Sequence, residues 1–261
     1  MKRTPISVDL STIPTQFRPF FQNASIFDSS CSPTARVYFL DQGPGYYLKS
    51  ASKGSLSKEA AMNAFFHSKG LGAQVLAYES LEQDWMLTLG VPGEDCTHPA
   101  YLGDPLRLCD TTAQLLRMLH ETSPVGCPVA DRTAEYLAVA RHNRDHKIYD
   151  ASLFPDNWGY ASPEEAWAEI EQNGKYLRSN TLLHGDYCLP NIMLKDWEFS
   201  AFIDLDAGGV GDRHVDLFWG MWSLLFNLKT DRYRDRFLDV YGRDLICEDT
   251  FRTIAAVEVF G

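Results

Sequence analysis

His184-Gly185-Asp186-Tyr187-Cys188-Leu189-Pro190-Asn191, followed by Phe202-Ile203-Asp204, decides how this chain is read. An acid, Asp186, is followed five residues on by an amide, Asn191, and after a short strand-like run by a second acid, Asp204. Magnesium-dependent phosphoryl transfer needs this set. One carboxylate takes the proton of the attacking hydroxyl, or at least orients that hydroxyl, while an amide oxygen and a second carboxylate hold the metal that bridges the nucleotide phosphates. Asp186 is therefore the expected catalytic residue, and Asn191 and Asp204 are the expected Mg²⁺ ligands. Mg²⁺ prefers hard oxygen donors and keeps several waters, so two protein ligands and phosphate oxygens fill its shell. Asp206 is a weaker candidate. His184 reads as a buried imidazole that fixes the loop.

Upstream, Val37-Tyr38-Phe39-Leu40 and Tyr46-Tyr47-Leu48-Lys49 flank the turn Asp41-Gln42-Gly43-Pro44-Gly45 and predict a hairpin. Ser57 is the expected cap of a helix through Phe66 that stops near Gly70. Lys49 at a strand end and Glu59 on that helix complete a known pattern. A strand lysine that grips the nucleotide phosphates, held by a helix glutamate, is the protein-kinase arrangement, and acid-amide-acid is the order of the protein-kinase catalytic loop. The segment Ser29-Ser30-Cys31-Ser32-Pro33-Thr34-Ala35 contains no glycine, so no Gly-rich loop motif exists. Its small side chains, Ser32 among them, leave two readings open, a phosphate contact and a plain surface turn.

Trp85-Met86-Leu87-Thr88-Leu89 reads as a buried strand, broken by Gly90-Val91-Pro92-Gly93. Beyond this the chain turns mostly helical, with helices expected over 104–120, 134–144 and 163–177. A hairpin follows over 192–203, and three helical patterns lie around 217–227, 233–241 and 250–260. The expected architecture is α+β and protein-kinase-like: a small β-rich N-terminal nucleotide-binding lobe over 1–90, a connection at about 88–93, and a larger, mostly helical catalytic and substrate-binding lobe over 94–261. Within it Arg213 could neutralise charge on the transferring phosphoryl group, and Asp216 is expected to brace the catalytic loop from a helix start.

The bulk properties agree with such an enzyme. The chain has 261 residues, 45% of them hydrophobic, enough for a sizeable core. No run of about 18 apolar residues appears, so no membrane span is expected. No apolar stretch follows the basic N-terminal residues, so no secretory signal is expected. Six scattered cysteines read as reduced thiols of a cytoplasmic protein. A net charge of -11 argues against nucleic acid as a partner and suits a cationic substrate. A monomer is expected.

His184 to Met193, then Phe202-Ile203-Asp204 with Gly209-Val210-Gly211-Asp212-Arg213 and Asp216, resemble the catalytic and metal-binding segments of the bacterial aminoglycoside 3'-phosphotransferases. Trp85 to Asp95 resembles that family's hinge, and Lys49 with Glu59 fits its nucleotide lysine and helix glutamate. The resemblance runs from about residue 25 to the C-terminus. It implies that ATP, or GTP in its place, supplies a phosphoryl group with Mg²⁺ to the 3'-hydroxyl of an antibiotic, conferring resistance. It also implies that hinge groups of Thr88 and Gly90 hold the adenine, and that Asp186, Asp156, Glu258 and Arg213 lie against a polycationic drug. Departures bear on substrate: Gly261 shifts the terminal carboxylate by one residue, and Trp158 and Gly159 supply no second acid beside Asp156. The family ends on two adjacent acids, whereas Val257-Glu258 keeps one of them. A kinase of another small hydroxylated metabolite or antibiotic on the same fold is the alternative.

Overall fold

The computed structural model describes residues 3–149 and 159–261. Asp156 lies outside the described residues. The chain divides into two compact units, residues 1–103 with 189–207 and residues 104–188 with 208–261. This differs from the expected boundary at 88–93. The first crossing falls after Gly103, and the segment carrying Asn191 and Asp204 belongs to the first unit.

The first unit is built on a six-stranded antiparallel sheet. Its strands are β1 (Thr4–Pro5), β2 (Ser25–Asp28), β3 (Ala35–Asp41), β4 (Tyr46–Ser52), β5 (Val75–Ser80) and β6 (Gln83–Leu89), in the order β1-β2-β3-β4-β6-β5. The expected hairpin is β3–β4, and its turn uses Gly43 and Gly45 at φ 57° and 81°, a region glycine enters without a steric cost. Period-two alternation then sorts the side chains. Leu40, Leu48, Trp85 and Leu87 pack with Ile13, Phe17 and Phe21 on one face. Each such buried side chain contributes roughly 2 kcal/mol. Lys49 and its cross-strand partner Met86 point to the other face, which α1 (Ser57–Ser68) covers through Leu56 and Ala60.

Ser57 does not cap α1. Its hydroxyl turns back to donate to the Gly54 carbonyl at 3.1 Å, and the N-cap residue is Leu56. The fully buried Asp84 carboxylate on β6 accepts the Leu56 N–H at 2.9 Å instead. A three-stranded sheet completes the unit: β7 (Glu94–Asp95) pairs with β9 (Ile192–Lys195), which pairs with β10 (Glu198–Phe202). Phe202 N–H also donates to the Leu71 carbonyl at 2.8 Å. These ladders explain why 189–207 joins the first unit. The short α2 (Pro99–Leu102) packs here too, with the Tyr101 hydroxyl on the Leu194 carbonyl at 2.9 Å.

The second unit is helical: α3 (Pro105–Glu121), α4 (Arg132–Asp145), α5 (Pro163–Asn173), α6 (His214–Leu228), α7 (Arg234–Tyr241) and α8 (Glu248–Glu258). Asp104, Asp131 and Ser162 cap α3, α4 and α5 with side-chain oxygens, as the residue types predict. Leu108, Leu116 and Leu119 of α3 are buried, as are Phe218, Phe237 and Ile254 on α6, α7 and α8. The only paired strands among the described residues of this unit are β8 (Thr181–Leu183) and β11 (Gly209–Gly211), which lie antiparallel on either side of the catalytic stretch in sequence. No helix among the described residues is long and apolar enough to cross a membrane.

Candidate active site

In the first unit the structure brings Lys49, Glu59 and Asp204 together. Lys49 Nζ donates to both Glu59 oxygens, at 2.9 and 2.7 Å, and to Asp204 Oδ1 at 3.1 Å. Burial alone would lower the lysine pKa, but the attraction of Glu59 and Asp204 outweighs it and holds the value above the usual lysine range. Burial raises the Glu59 pKa despite the attraction of Lys49, with Asp204 and Asp206 adding to the rise. Glu59 is nearly sealed from solvent, whereas the Asp204 side chain is 56% exposed. The pair is thus a buried anchor with one open end. Asp204 adopts φ 60°, the left-handed region, two residues after the end of β10. Non-glycine residues held there cluster at functional sites.

Asn191 ends a 3₁₀ turn over Leu189–Asn191 and is buried. Its carbonyl accepts the Ile203 N–H at 3.0 Å, which sets residue 191 beside the residue preceding Asp204. Both side chains offer hard oxygens, the donor type that Mg²⁺ takes. The expected adenine contacts fare less well. The Gly90 N–H already donates to the Gly45 carbonyl at 2.9 Å, so that donor is committed to the fold. Thr88 is paired with Tyr47 and Val75 inside the sheet. Leu89 N–H donates to the Gln74 carbonyl at the opposite edge. Ser32 is exposed, its hydroxyl 2.6 Å from Thr34 Oγ1. It lines a groove of about 620 Å³ with Arg36, Ser50 and Lys53, a set that does not contain Lys49.

In the second unit β8 delivers His184 fully buried, and Gly185 at φ 85° turns the chain so that Asp186 emerges half-buried. The loop is clamped from α6. Asp216 accepts the His184 N–H and the Gly185 N–H, each at 2.7 Å, as its place at a helix start led us to expect. A third contact comes from His120 Nε2 on α3 at 3.1 Å. Burial drives the His120 pKa down although Asp216 pulls it up. Nε2 faces the Asp216 carboxylate, which accepts, and Nδ1 lies 2.8 Å from the Tyr241 hydroxyl. Tyr187 adds a further tie through its hydroxyl to the Thr112 carbonyl at 2.7 Å. Arg213 does not face Asp186's cavity among the described residues. Its Nη1 donates to the Tyr241 hydroxyl at 3.4 Å.

Asp186 opens onto a cavity of about 370 Å³ whose lining includes Arg132 and Tyr136 of α4, Trp219 of α6 and Glu258 of α8. Glu258 accepts from the Tyr136 hydroxyl at 2.6 Å and from Trp219 Nε1 at 2.9 Å. Burial pushes its pKa up to about 7 even though these two donors and Arg132 pull it down. Tyr136 is raised in turn by burial and by the Glu258 charge, so its hydroxyl keeps the proton it donates. Sequence reasoning missed Tyr136, Trp219, Arg132, His120 and Tyr241. They lie on four helices far apart in sequence, and no local pattern marks them.

A model of the phosphotransferase enzyme family matches residues 33–255. A probable aminoglycoside 3'-phosphotransferase from Lactococcus lactis subsp. lactis is 46% identical over 258 residues, 98% of either chain. Among solved structures, an aminoglycoside 3'-phosphotransferase of type VIII matches with a TM-score of 0.78 at 23% identity, over 94% of this chain and 97% of its own. An aminoglycoside phosphotransferase from Streptomyces rimosus in complex with ADP and streptomycin matches with a TM-score of 0.73 at 21% identity, over 98% and 100%. At these identities the two structures establish the fold, and it is the fold expected from the sequence.

Proposed function

This chain belongs to the phosphotransferase enzyme family, and on that premise we propose that it transfers the γ-phosphoryl group of ATP to a hydroxyl, the 3'-hydroxyl, of an aminoglycoside antibiotic in the cytoplasm, conferring resistance. The observation that carries the substrate class is the cavity where Asp186 and Glu258 both present carboxyl groups. Such a cavity concentrates a polycation.

Each residue then has a task. Asp186 orients the acceptor hydroxyl and takes its proton as the oxygen bonds to the γ-phosphorus and ADP departs. Lys49, steadied by Glu59, exchanges Asp204 for the nucleotide phosphates. Asn191 and Asp204 would hold Mg²⁺, which supplies neutralisation of charge on the phosphate oxygens. With the Gly90 donor taken by Gly45, strand alternation turns the Val91 N–H to the edge where Leu89 lies, and we assign the adenine edge to Val91 and the Leu89 carbonyl. Arg213, whose Nη1 meets the Tyr241 hydroxyl at 3.4 Å, is kept as the group that neutralises phosphoryl charge. Arg132 on the cavity wall opposes a cation, an observation that favours the second reading, a less highly charged hydroxylated acceptor.

The test is ADP release with ATP, Mg²⁺ and a panel of kanamycin, neomycin and tobramycin. Turnover on kanamycin and neomycin is expected, and none on tobramycin, which lacks the 3'-hydroxyl. Turnover on no aminoglycoside would move the assignment to the second reading.

Glu258 adds a pH signature. An acid whose folded pKa is raised stays protonated in the native protein while the unfolded chain ionises, so its ionisation works against folding as pH rises from about 4.5 toward 7. Binding runs the other way, because an ammonium selects the carboxylate. KM for the drug should fall several-fold between about pH 6 and pH 8 in the parent, and Glu258→Gln should flatten that dependence. A parent profile with no change across this range would remove Glu258 as the drug's anion.

A further inference from the structure

Tyr241 is buried at the end of α7, and packing there uses its ring rather than its hydroxyl. The ring meets that of His120 edge-on, with centroids 5.6 Å apart at 81°, and Arg117 Nη1 donates to the Tyr241 carbonyl at 2.9 Å. A phenylalanine would keep both contacts, and a buried hydroxyl costs free energy unless it is hydrogen-bonded. What the hydroxyl adds is two bonds. It lies 2.8 Å from His120 Nδ1 and accepts from Arg213 Nη1 at 3.4 Å. Burial pushes its pKa up to about 12 even though Arg213 and Arg117 pull it down, so the oxygen keeps its proton and can serve both neighbours.

Both bonds lead back to the start of α6. Arg213 is the N-cap residue of α6, and Asp216 stands three residues on, within its first turn. Asp216 in turn meets His120 Nε2 at 3.1 Å and holds the N–H groups of His184 and Gly185, the two residues before Asp186. The hydroxyl thus closes a circuit through α3, α7 and the first turn of α6, all within the second unit. Two members of the circuit serve the reaction assigned above: Arg213 toward the phosphoryl charge, and Asp216 beneath the catalytic loop. Resting on that phosphoryl-transfer reading, we propose that Tyr241 is a positioning residue whose hydroxyl holds Arg213 and the Asp216 clamp in one mutual arrangement and so sets where Asp186 stands. It acts only through these neighbours. Bonds that share partners restrain one another, so removing one loosens the rest.

The test compares the full chain with Tyr241→Phe, Arg213→Gln and the double variant. Two readouts are used: steady-state ADP release with ATP, Mg²⁺ and kanamycin, and amide hydrogen exchange at His184 and Gly185. Tyr241→Phe should lower kcat about tenfold while KM for ATP and for kanamycin stays within about twofold of the parent. The double variant should lose less than the product of the two single losses, because Tyr241 acts in part through Arg213. The His184 and Gly185 amides should exchange at least about fivefold faster in Tyr241→Phe, with the amides of α5 unchanged. A kcat within about twofold of the parent, a full product in the double variant, or unchanged exchange at the two amides overturns the positioning role. Faster exchange spread evenly through the second unit overturns it too, since that marks general loosening. Selective loosening of the two amides by Tyr241→Phe, in a chain whose parent phosphorylates no aminoglycoside, would keep the hold on the loop and overturn the acceptor assignment.

Discussion

Asp216→Ala should lower stability by about 3–5 kcal/mol and reduce kcat in whatever folded protein remains. Asp216 is fully buried and accepts three donors, the backbone N–H groups of His184 and Gly185 and the His120 ring. Truncation leaves all three without an acceptor in a site too tight for easy hydration, and an unmet buried donor costs about 1–3 kcal/mol. The loss is not only one of stability, because two of the donors belong to the residues immediately before Asp186. Denaturant unfolding and steady-state kinetics together decide the matter. Asp216→Asn is the informative companion: it keeps one acceptor oxygen and should hold about half of the lost stability. A variant that unfolds early yet keeps the parent kcat would show that the clamp carries folding alone and does not position the catalytic loop.

The clamp was legible in the sequence only in part, and the reason is one of range. Asp186, Asn191 and Asp204 lie in one short stretch, so spacing alone proposed them as a set, and Asp216 follows within the next helix start. Lys49 and Glu59 were legible because a strand and the following helix bring residues ten apart into contact. The rest of the site is held by pairs that no local pattern announces. His120 meets Asp216 across 96 residues and Tyr241 across 121, and Tyr136 meets Glu258 across 122. The same effect misled the reading of α1. A serine before a helix is an ordinary cap, yet here a carboxylate 28 residues away supplies the acceptor. At the hinge, strand direction mattered more than composition: the Gly90 donor faces Gly45, a fact fixed by sheet register rather than by residue type.

Asp186→Asn should reduce kcat by about a thousandfold while leaving nucleotide affinity near that of the parent. The separation follows from where the groups lie. Lys49, Glu59 and Asp204 form their own ion-paired cluster in the first unit, and Asp186 belongs to the second. Asparagine keeps the shape of the side chain, and the loop hydrogen bonds made by the Asp186 backbone, its N–H to His184 and its carbonyl from Cys188, are untouched. What it removes is a carboxylate able to take a proton. Drug KM should rise as well, because one of the two carboxyl groups in the cavity is gone, and this rise should be smaller than the fall in kcat. The comparison is sharp because phosphoryl transfer passes through a loose transition state in which little proton transfer is needed early. A fall of less than about tenfold would therefore assign Asp186 to orienting the hydroxyl rather than deprotonating it, with the proton leaving to solvent after the phosphorus–oxygen bond has formed. Burst kinetics with the variant would separate the two, since an orienting role slows the chemical step while a late proton transfer leaves the first turnover intact.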